Sequence, residues 1–169
     1  MKNIVLIGIM GCGKSTIGRL LSEKLNLSFV DMDNSIENKT KMKINDIFKT
    51  YGEDYFRTLE EQIAEELSKK SGLVISTGGG IVTKEESISY LKNNGIVIFL
   101  KRDLNDILKI NMKNRPLLNN NPEKIFEIMN QRKALYEKYS DFCISNDDNP
   151  KNTVEKIIEI IKKEENWIK

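Results

Sequence analysis

Eight residues near the amino terminus, Gly8-Ile9-Met10-Gly11-Cys12-Gly13-Lys14-Ser15, constrain this chain more than any other stretch. They fit the spacing G-x-x-x-x-G-K-[ST], directly after the apolar run Asn3 to Ile7 and directly before a helical pattern that puts Ile17, Leu20, Leu21 and Leu25 on one stripe. Glycines at these intervals let the loop curl so that successive backbone N–H groups point inward, and the helix that follows turns its positive end to the same space. Such a cradle suits the phosphates of a nucleotide. Lys14 is placed to reach the β and γ phosphates, and the Ser15 hydroxyl to ligate a Mg²⁺ that bridges them. The plain alternative, a glycine turn between strand and helix, meets the four fixed positions by chance in about one chain of this length in a couple of hundred.

The rest of the chain repeats the strand-then-helix pattern. Asn3 to Ile7, Ser28 to Asp31, Leu73 to Ser76, Ile96 to Leu100 and, more weakly, Phe142 to Ser145 read as short buried strands. Helical periodicity lies between them, notably from Asp54 to Lys70, where Phe56, Leu59, Ile63 and Leu67 align, and in the tail from Thr153 to Lys163. Alternation of this kind demands crossover connections, hence an α/β fold with a mostly parallel sheet covered by helices on both faces. At 169 residues one domain, 1–169, is expected. The Asn-rich stretch from Pro116 to Pro122 is the best candidate for a loop that moves.

Composition narrows the chemistry. Lysine and arginine number 27 against 25 acidic residues, and a net charge of +2 argues for neither a nucleic-acid nor an anionic-membrane partner. No apolar run approaches the roughly 18 residues of a membrane span, and the first residues lack a signal peptide's apolar stretch, so a soluble cytoplasmic location is expected. Cys12 and Cys143 form no metal or disulfide framework. There is no histidine. Carboxylates, lysine and arginine are left to carry any catalysis.

Three clusters stand where an acceptor would sit. Asp31 and Asp33 lie just beyond the carboxyl end of the second strand, where open α/β sheets place ligands. One can help hold a Mg²⁺ shell while the other accepts a proton from an attacking hydroxyl. Equally, they serve as plain caps for a helix at Asn34 to Lys39. The third strand ends in Gly78-Gly79-Gly80, which allows close backbone approach to a ligand or simply makes a turn. Arg57, Arg115 and Arg132 stand out in a set of cations dominated by lysine, and a planar guanidinium grips a carboxylate or phosphate in two places. Each could also belong to a solvated helix face.

In this order, the residues Gly8-x-x-Gly11-x-Gly13-Lys14-Ser15-Thr16-x-Gly18-Arg19, Phe29-x-Asp31-x-Asp33, Phe56-Arg57-x-x-Glu60, Gly78-Gly79-Gly80, Arg115-Pro116-Leu117-Leu118 and Arg132-x-x-x-Tyr136 resemble the shikimate kinase family over nearly the whole chain. The resemblance implies a three-layer P-loop kinase fold of the nucleoside-monophosphate-kinase type, with a five-stranded parallel sheet, usually monomeric. It implies transfer of the γ-phosphate of ATP to the 3-hydroxyl of shikimate, with Mg²⁺. Gly11, Cys12, Gly13, Lys14, Ser15 and Thr16 are then expected at the nucleotide, with Ser15 and Asp31 at the metal. Asp33 is expected on the acceptor hydroxyls, and Arg57, Arg132 and the Gly79 backbone on its carboxylate. Arg115 is expected to close against the transferring phosphate from a lid at about 109–123, across from an acceptor-binding segment at about 32–60. Lys14, Asp33 and Arg115 make up the expected catalytic set.

Two features depart from the family pattern. Lys109 stands nearest to where many members stack an arginine on adenine, and Cys12 occupies a loop position more often held by alanine or serine. Next to Lys14 and at a helix N-terminus, Cys12 is expected to be a reactive thiol if the loop leaves it reachable. The rival readings are another small-metabolite kinase of the same shape, such as a gluconate-type or nucleoside-monophosphate kinase, and a nucleotide-binding protein without chemistry.

Overall fold

The computed structural model describes residues 1–109, 121–147 and 149–164 of the chain. Five strands, β1 (Asn3–Ile7), β2 (Ser28–Asp31), β3 (Leu73–Ser76), β4 (Gly95–Lys101) and β5 (Phe142–Ser145), form one sheet in the order β2-β3-β1-β4-β5. Every pairing is parallel. Every residue of β1 and β3 is buried, as continuous β-branched and leucine runs require when helices cover both faces of a sheet. The edge strands β2 and β5 keep partly exposed positions.

Helix α1 (Lys14–Leu25) follows β1 and leads to β2, toward one edge of the sheet. The helices α2 (Met32–Thr40), α3 (Ile44–Ser68), α4 (Glu85–Asn93), α5 (Leu104–Lys109) and α6 (Lys124–Tyr139) belong to connections that run back toward β5. Right-handed crossovers therefore set α1 on one face and α3, α4 and α6 on the other. The last helix, α7 (Pro150–Lys163), packs beside α1. Ile17 and Leu21 of α1 and Ile63 and Ala64 of α3 close the core over the central strands. Each fully buried leucine or isoleucine contributes about 1.5–3 kcal/mol relative to exposure.

Three helices depart from their expected limits, each for a local reason. The helix expected from Asp54 begins at Ile44, but Gly52 inside it has φ 81° and ψ 177°, so α3 is two helices joined at a kink. That φ lies where only glycine rests without strain. Helix α2 starts two residues before Asn34 because Asp31 caps it, its Oδ1 accepting the Asn34 N–H at 3.2 Å. Helix α7 starts at Pro150 rather than Thr153, with Pro150 in its first turn and the side-chain Oδ1 of Asn149 accepting the Lys151 N–H at 2.9 Å. The Asn-rich stretch lies largely outside the described residues.

Because β1 connects toward β2 while β3 connects toward β4, the chain diverges at the carboxyl edge between β1 and β3. A crevice at such a divergence is where α/β sheets bind ligands. The loop after β1, the Ser76 end of β3 and the Asp31 end of β2 all open there, with Asp31 in register with Ser76 and Leu6 with Ser76 from the other side.

Candidate active site

The loop after β1 is built from backbone. Gly8, Gly11 and Gly13 have φ of 145°, 82° and 103°, conformations that reverse the chain between strand and helix. Gly13 sits at the helix N-cap and no side chain caps α1. Among the described residues the N–H groups of Gly11, Gly13, Lys14, Ser15 and Thr16 find no backbone acceptor, whereas that of Cys12 donates to Ile9 O at 3.3 Å. A set of uncommitted donors at a helix N-terminus attracts an anion. Lys14, largely buried, folds over the loop and donates from Nζ to Gly8 O at 2.7 Å and Ile9 O at 3.0 Å. Its third proton meets only Cys12 Sγ, a weak acceptor, at 3.7 Å. A phosphate oxygen is a far better partner for it.

Ser15, on the exposed first turn of α1, donates from Oγ to Asp31 Oδ2 at 2.8 Å and lies 3.2 Å from Ser76 Oγ. Asp31 thus caps α2, as one of its two readings has it, and also touches the loop serine. Among the described residues no three acidic or cysteine side chains gather as a metal cage. The oxygens of Ser15, Asp31 and Ser76 suit an ion such as Mg²⁺, which takes few protein ligands and completes its shell with phosphate oxygens and water.

The glycine run after β3 is spaced for contact rather than for turning. None of Gly78, Gly79 or Gly80 has positive φ, and each makes room for something different. A Cβ on Gly78 would stand 2.7 Å from Glu60 Oε1 and 3.2 Å from Asp33 Oδ1, and one on Gly79 would stand 3.2 Å from Met10 N of the phosphate loop. On Gly80 it would collide with the Arg57 guanidinium. The acceptor-side carboxylates, the phosphate loop and Arg57 therefore meet over three consecutive residues that lack side chains.

Electrostatics differ among these groups. Burial pushes the Asp33 carboxyl up to about 6, helped by the neighbouring Asp31 and opposed by Lys14 and Arg57. Glu60 is fully buried in α3, and burial raises it above the carboxylate range despite the pull of Arg57. Arg57 Nη1 donates to Glu60 Oε2 at 2.7 Å and Nη2 to Glu53 Oε1 at 3.0 Å. Burial works against the guanidinium's charge, but the two carboxylates outweigh it and hold the arginine above its ordinary value. Arg132, half-buried in α6, reaches the same place: its charge acts on both the Tyr136 hydroxyl and Glu60. The Tyr136 hydroxyl donates to Gly79 O at 2.5 Å while its ring stacks on Phe99 at 4.9 Å.

Lys14, Ser15, Asp31, Asp33, Arg57, Gly79 and Arg132 thus gather at one edge of the sheet. Thr16 lies exposed on the first turn of α1. Arg115 lies outside the described residues, as does most of the expected lid. One expectation is corrected: the Cys12 side chain is completely buried, so no reactive thiol faces solvent. Arg57 is already paired with Glu60 and Glu53. Lys109 is exposed and pairs with Asp106 at 2.8 Å. Glu60 and Tyr136 were visible in the motifs but without a role. An acidic residue four positions after Phe56, on the apolar face of α3, was the signal for Glu60.

Comparison with known proteins decides the family. The shikimate kinase family model matches residues 10–162. The chain belongs to the shikimate kinase family. A shikimate kinase from Clostridium beijerinckii is 45% identical over 163 residues, covering 95% of this chain and 96% of that protein. A shikimate kinase from Acinetobacter baumannii, solved in complex with shikimate, superposes with a TM-score of 0.92 at 36% identity, covering 98% of this chain and 96% of that one. A gluconokinase from Sinorhizobium meliloti matches with a TM-score of 0.60 at 14% identity over 94% of this chain and 90% of its own, a likeness of fold alone. As a shikimate kinase family member the chain is a kinase, and the five-stranded parallel P-loop fold is the family's. Among the described residues no helix is long and apolar enough to cross a membrane.

Proposed function

We propose that this enzyme transfers the γ-phosphate of ATP to the 3-hydroxyl of shikimate and that the residues gathered over Gly78-Gly79-Gly80 do the work. The observation that carries this reading is the contact of three kinds of group there: a carboxylate on the acceptor side, a guanidinium, and the backbone of the phosphate loop. In phosphoryl transfer the protein mainly positions the reactants and neutralises charge. The loop N–H groups and Lys14 hold the phosphates. Arg57 and Arg132, with the Gly79 backbone, hold the acceptor's carboxylate. Asp33, about 6 in pKa and so mostly ionised at neutral pH, accepts the hydrogen bond of the attacking hydroxyl and orients it.

Ser15 Oγ would ligate Mg²⁺, with Asp31 and Ser76 around it. When bound, the ion neutralises charge on the β and γ phosphates. Arg115, in a lid at about 109–123, completes the proposed charge clamp, with the acceptor segment at about 32–60 facing it. The working form proposed is a monomer. The test is a coupled ADP-release assay with shikimate, gluconate and nucleoside monophosphates as acceptors. Stimulation by shikimate alone is expected; stimulation by gluconate or a nucleotide in its place would overturn the assignment.

A further inference from the structure

Asn146, the residue after β5, is buried at 3% exposure although it is polar and far in sequence from the phosphate loop. Both polar atoms of its amide are engaged. Nδ2 donates to Cys12 O at 2.8 Å, and Oδ1 accepts the hydroxyl of Thr153 on α7, itself buried, at 2.8 Å. The backbone N–H of Asn146 donates to Lys101 O at 2.7 Å, which pins the residue to the end of β4. A Cβ on Gly13 would collide with Asn146 Nδ2, so the nitrogen end of the amide presses close to the Cα of that glycine.

The Cys12 carbonyl and the Gly13 N–H belong to one peptide unit, and the chain has no cis peptide among its described residues. In a trans unit the C=O and N–H point in opposite directions. A donor that draws the Cys12 carbonyl toward β5 therefore turns the Gly13 N–H the other way, to the side of the loop away from Asn146. That N–H is one of those without a backbone acceptor among the described residues. The Cys12 carbonyl can only accept, so it fixes Nδ2 as the end of the amide that faces it, and the Thr153 hydroxyl holds the other end by donating to Oδ1.

We propose that Asn146 is a positioning residue for nucleotide binding: held by Thr153, it sets the Cys12–Gly13 peptide so that the Gly13 N–H is presented to a phosphate. The inference rests on the reading of the loop as the ATP site. It makes the last strand and the last helix part of the donor machinery, at the far end of the chain from the loop.

Calorimetric titration with ADP and steady-state KM values for ATP and shikimate test it in the wild type, Asn146→Ala, Thr153→Val and the double variant. Asn146→Ala should weaken ADP and raise the KM for ATP about tenfold, the worth of one well-made hydrogen bond. The KM for shikimate should stay within about twofold of the wild type. Thr153→Val should have a smaller effect of the same kind, and none beyond that of Asn146→Ala in the double variant, because it acts only through the amide. Unchanged ADP affinity in Asn146→Ala, equal loss of ADP and shikimate affinity, or a full additive effect of Thr153→Val would each overturn the inference. Should Asn146→Ala fail to fold, Thr153→Val decides alone: weaker ADP with normal shikimate supports the proposal, and normal ADP defeats it. A wild type that binds no ADP defeats the ATP-site reading itself, which is a different result from a wild type that binds it as well as the variants do.

Discussion

The two halves of the active site are made in different ways. The donor half is one contiguous loop, residues 8–16, whose ligands are mostly backbone N–H groups aimed by glycine conformations. The acceptor half is assembled from the glycine run after β3 and side chains of α2, α3 and α6, and its charges are balanced internally before any ligand is considered: Arg57 by Glu60 and Glu53, Asp33 by Lys14 and Arg57. A backbone cradle has few side chains that can be removed by mutation. A side-chain pocket has many, each individually replaceable, and its selectivity depends on how firmly its own counter-charges hold the groups that face the ligand.

The largest effect expected from this contrast is at Lys14, the one side chain on which the donor half depends for charge. Lys14→Ala should lower kcat about a thousandfold with little change in shikimate affinity. A modest loss of kcat would mean that the N–H groups alone suffice and the donor half is wholly backbone.

Next comes Asp33. Its carboxyl binds a proton more tightly folded than unfolded, so its ionisation costs stability above pH 6, and that cost disappears as pH falls from about 6 toward 4. Asp33→Asn should therefore be more stable than the wild type at pH 8, by something on the order of 3 kcal/mol, with the gap closed near pH 4 in urea unfolding. The same group should give kcat/KM an acidic limb near pH 6, falling as pH drops, and the chain has no histidine to supply one. A limb below pH 5, or equal stabilities at pH 8, would break the assignment of a strained carboxylate to the acceptor half.

A smaller effect tests the internal balance. An acceptor analogue with a carboxamide in place of the carboxylate leaves Arg57 still paired to Glu60, so the wild type should disfavour it only about tenfold. In Glu60→Gln the arginine loses that partner and depends more on the ligand, and discrimination should grow toward about a hundredfold. Equal discrimination in both proteins would show that Glu60 does not temper the arginine.

The smallest effect belongs to Tyr136. Tyr136→Phe keeps the stack on Phe99 but strands the Gly79 carbonyl, and should raise the KM for shikimate about fivefold with kcat nearly intact. A change in the KM for ATP instead would move this residue to the donor half.

The same contrast explains what the sequence disclosed. All five strands, α1 and the donor loop were legible because short buried runs and a contiguous motif leave their pattern in neighbouring residues. Arg57, Asp33 and Arg132 were legible as residue types, but not their pairing, since Glu60 sits on a helix face that otherwise reads as core. The two caps that extend α2 and α7 depend on single side-chain oxygens, Asp31 and Asn149, which periodicity does not register. Asn146 left no signal, because one asparagine after a weak strand is indistinguishable from a turn until β5 is placed beside β4.

Asp31 divides its two carboxylate oxygens between Ser15 at the head of α1 and the Asn34 N–H at the head of α2. Whatever alters the hold on one oxygen changes the electron density and orientation offered to the other, so events at the phosphates and the anchoring of the segment that carries Asp33 share a free energy. Shared free energy is reciprocal: if bound nucleotide alters the affinity for the acceptor by some factor, bound acceptor alters the affinity for nucleotide by the same factor. Asp31→Asn, which leaves a single acceptor oxygen to serve both partners, should therefore bring the two binding events closer to independence, read as the ratio of shikimate affinities with and without ADP.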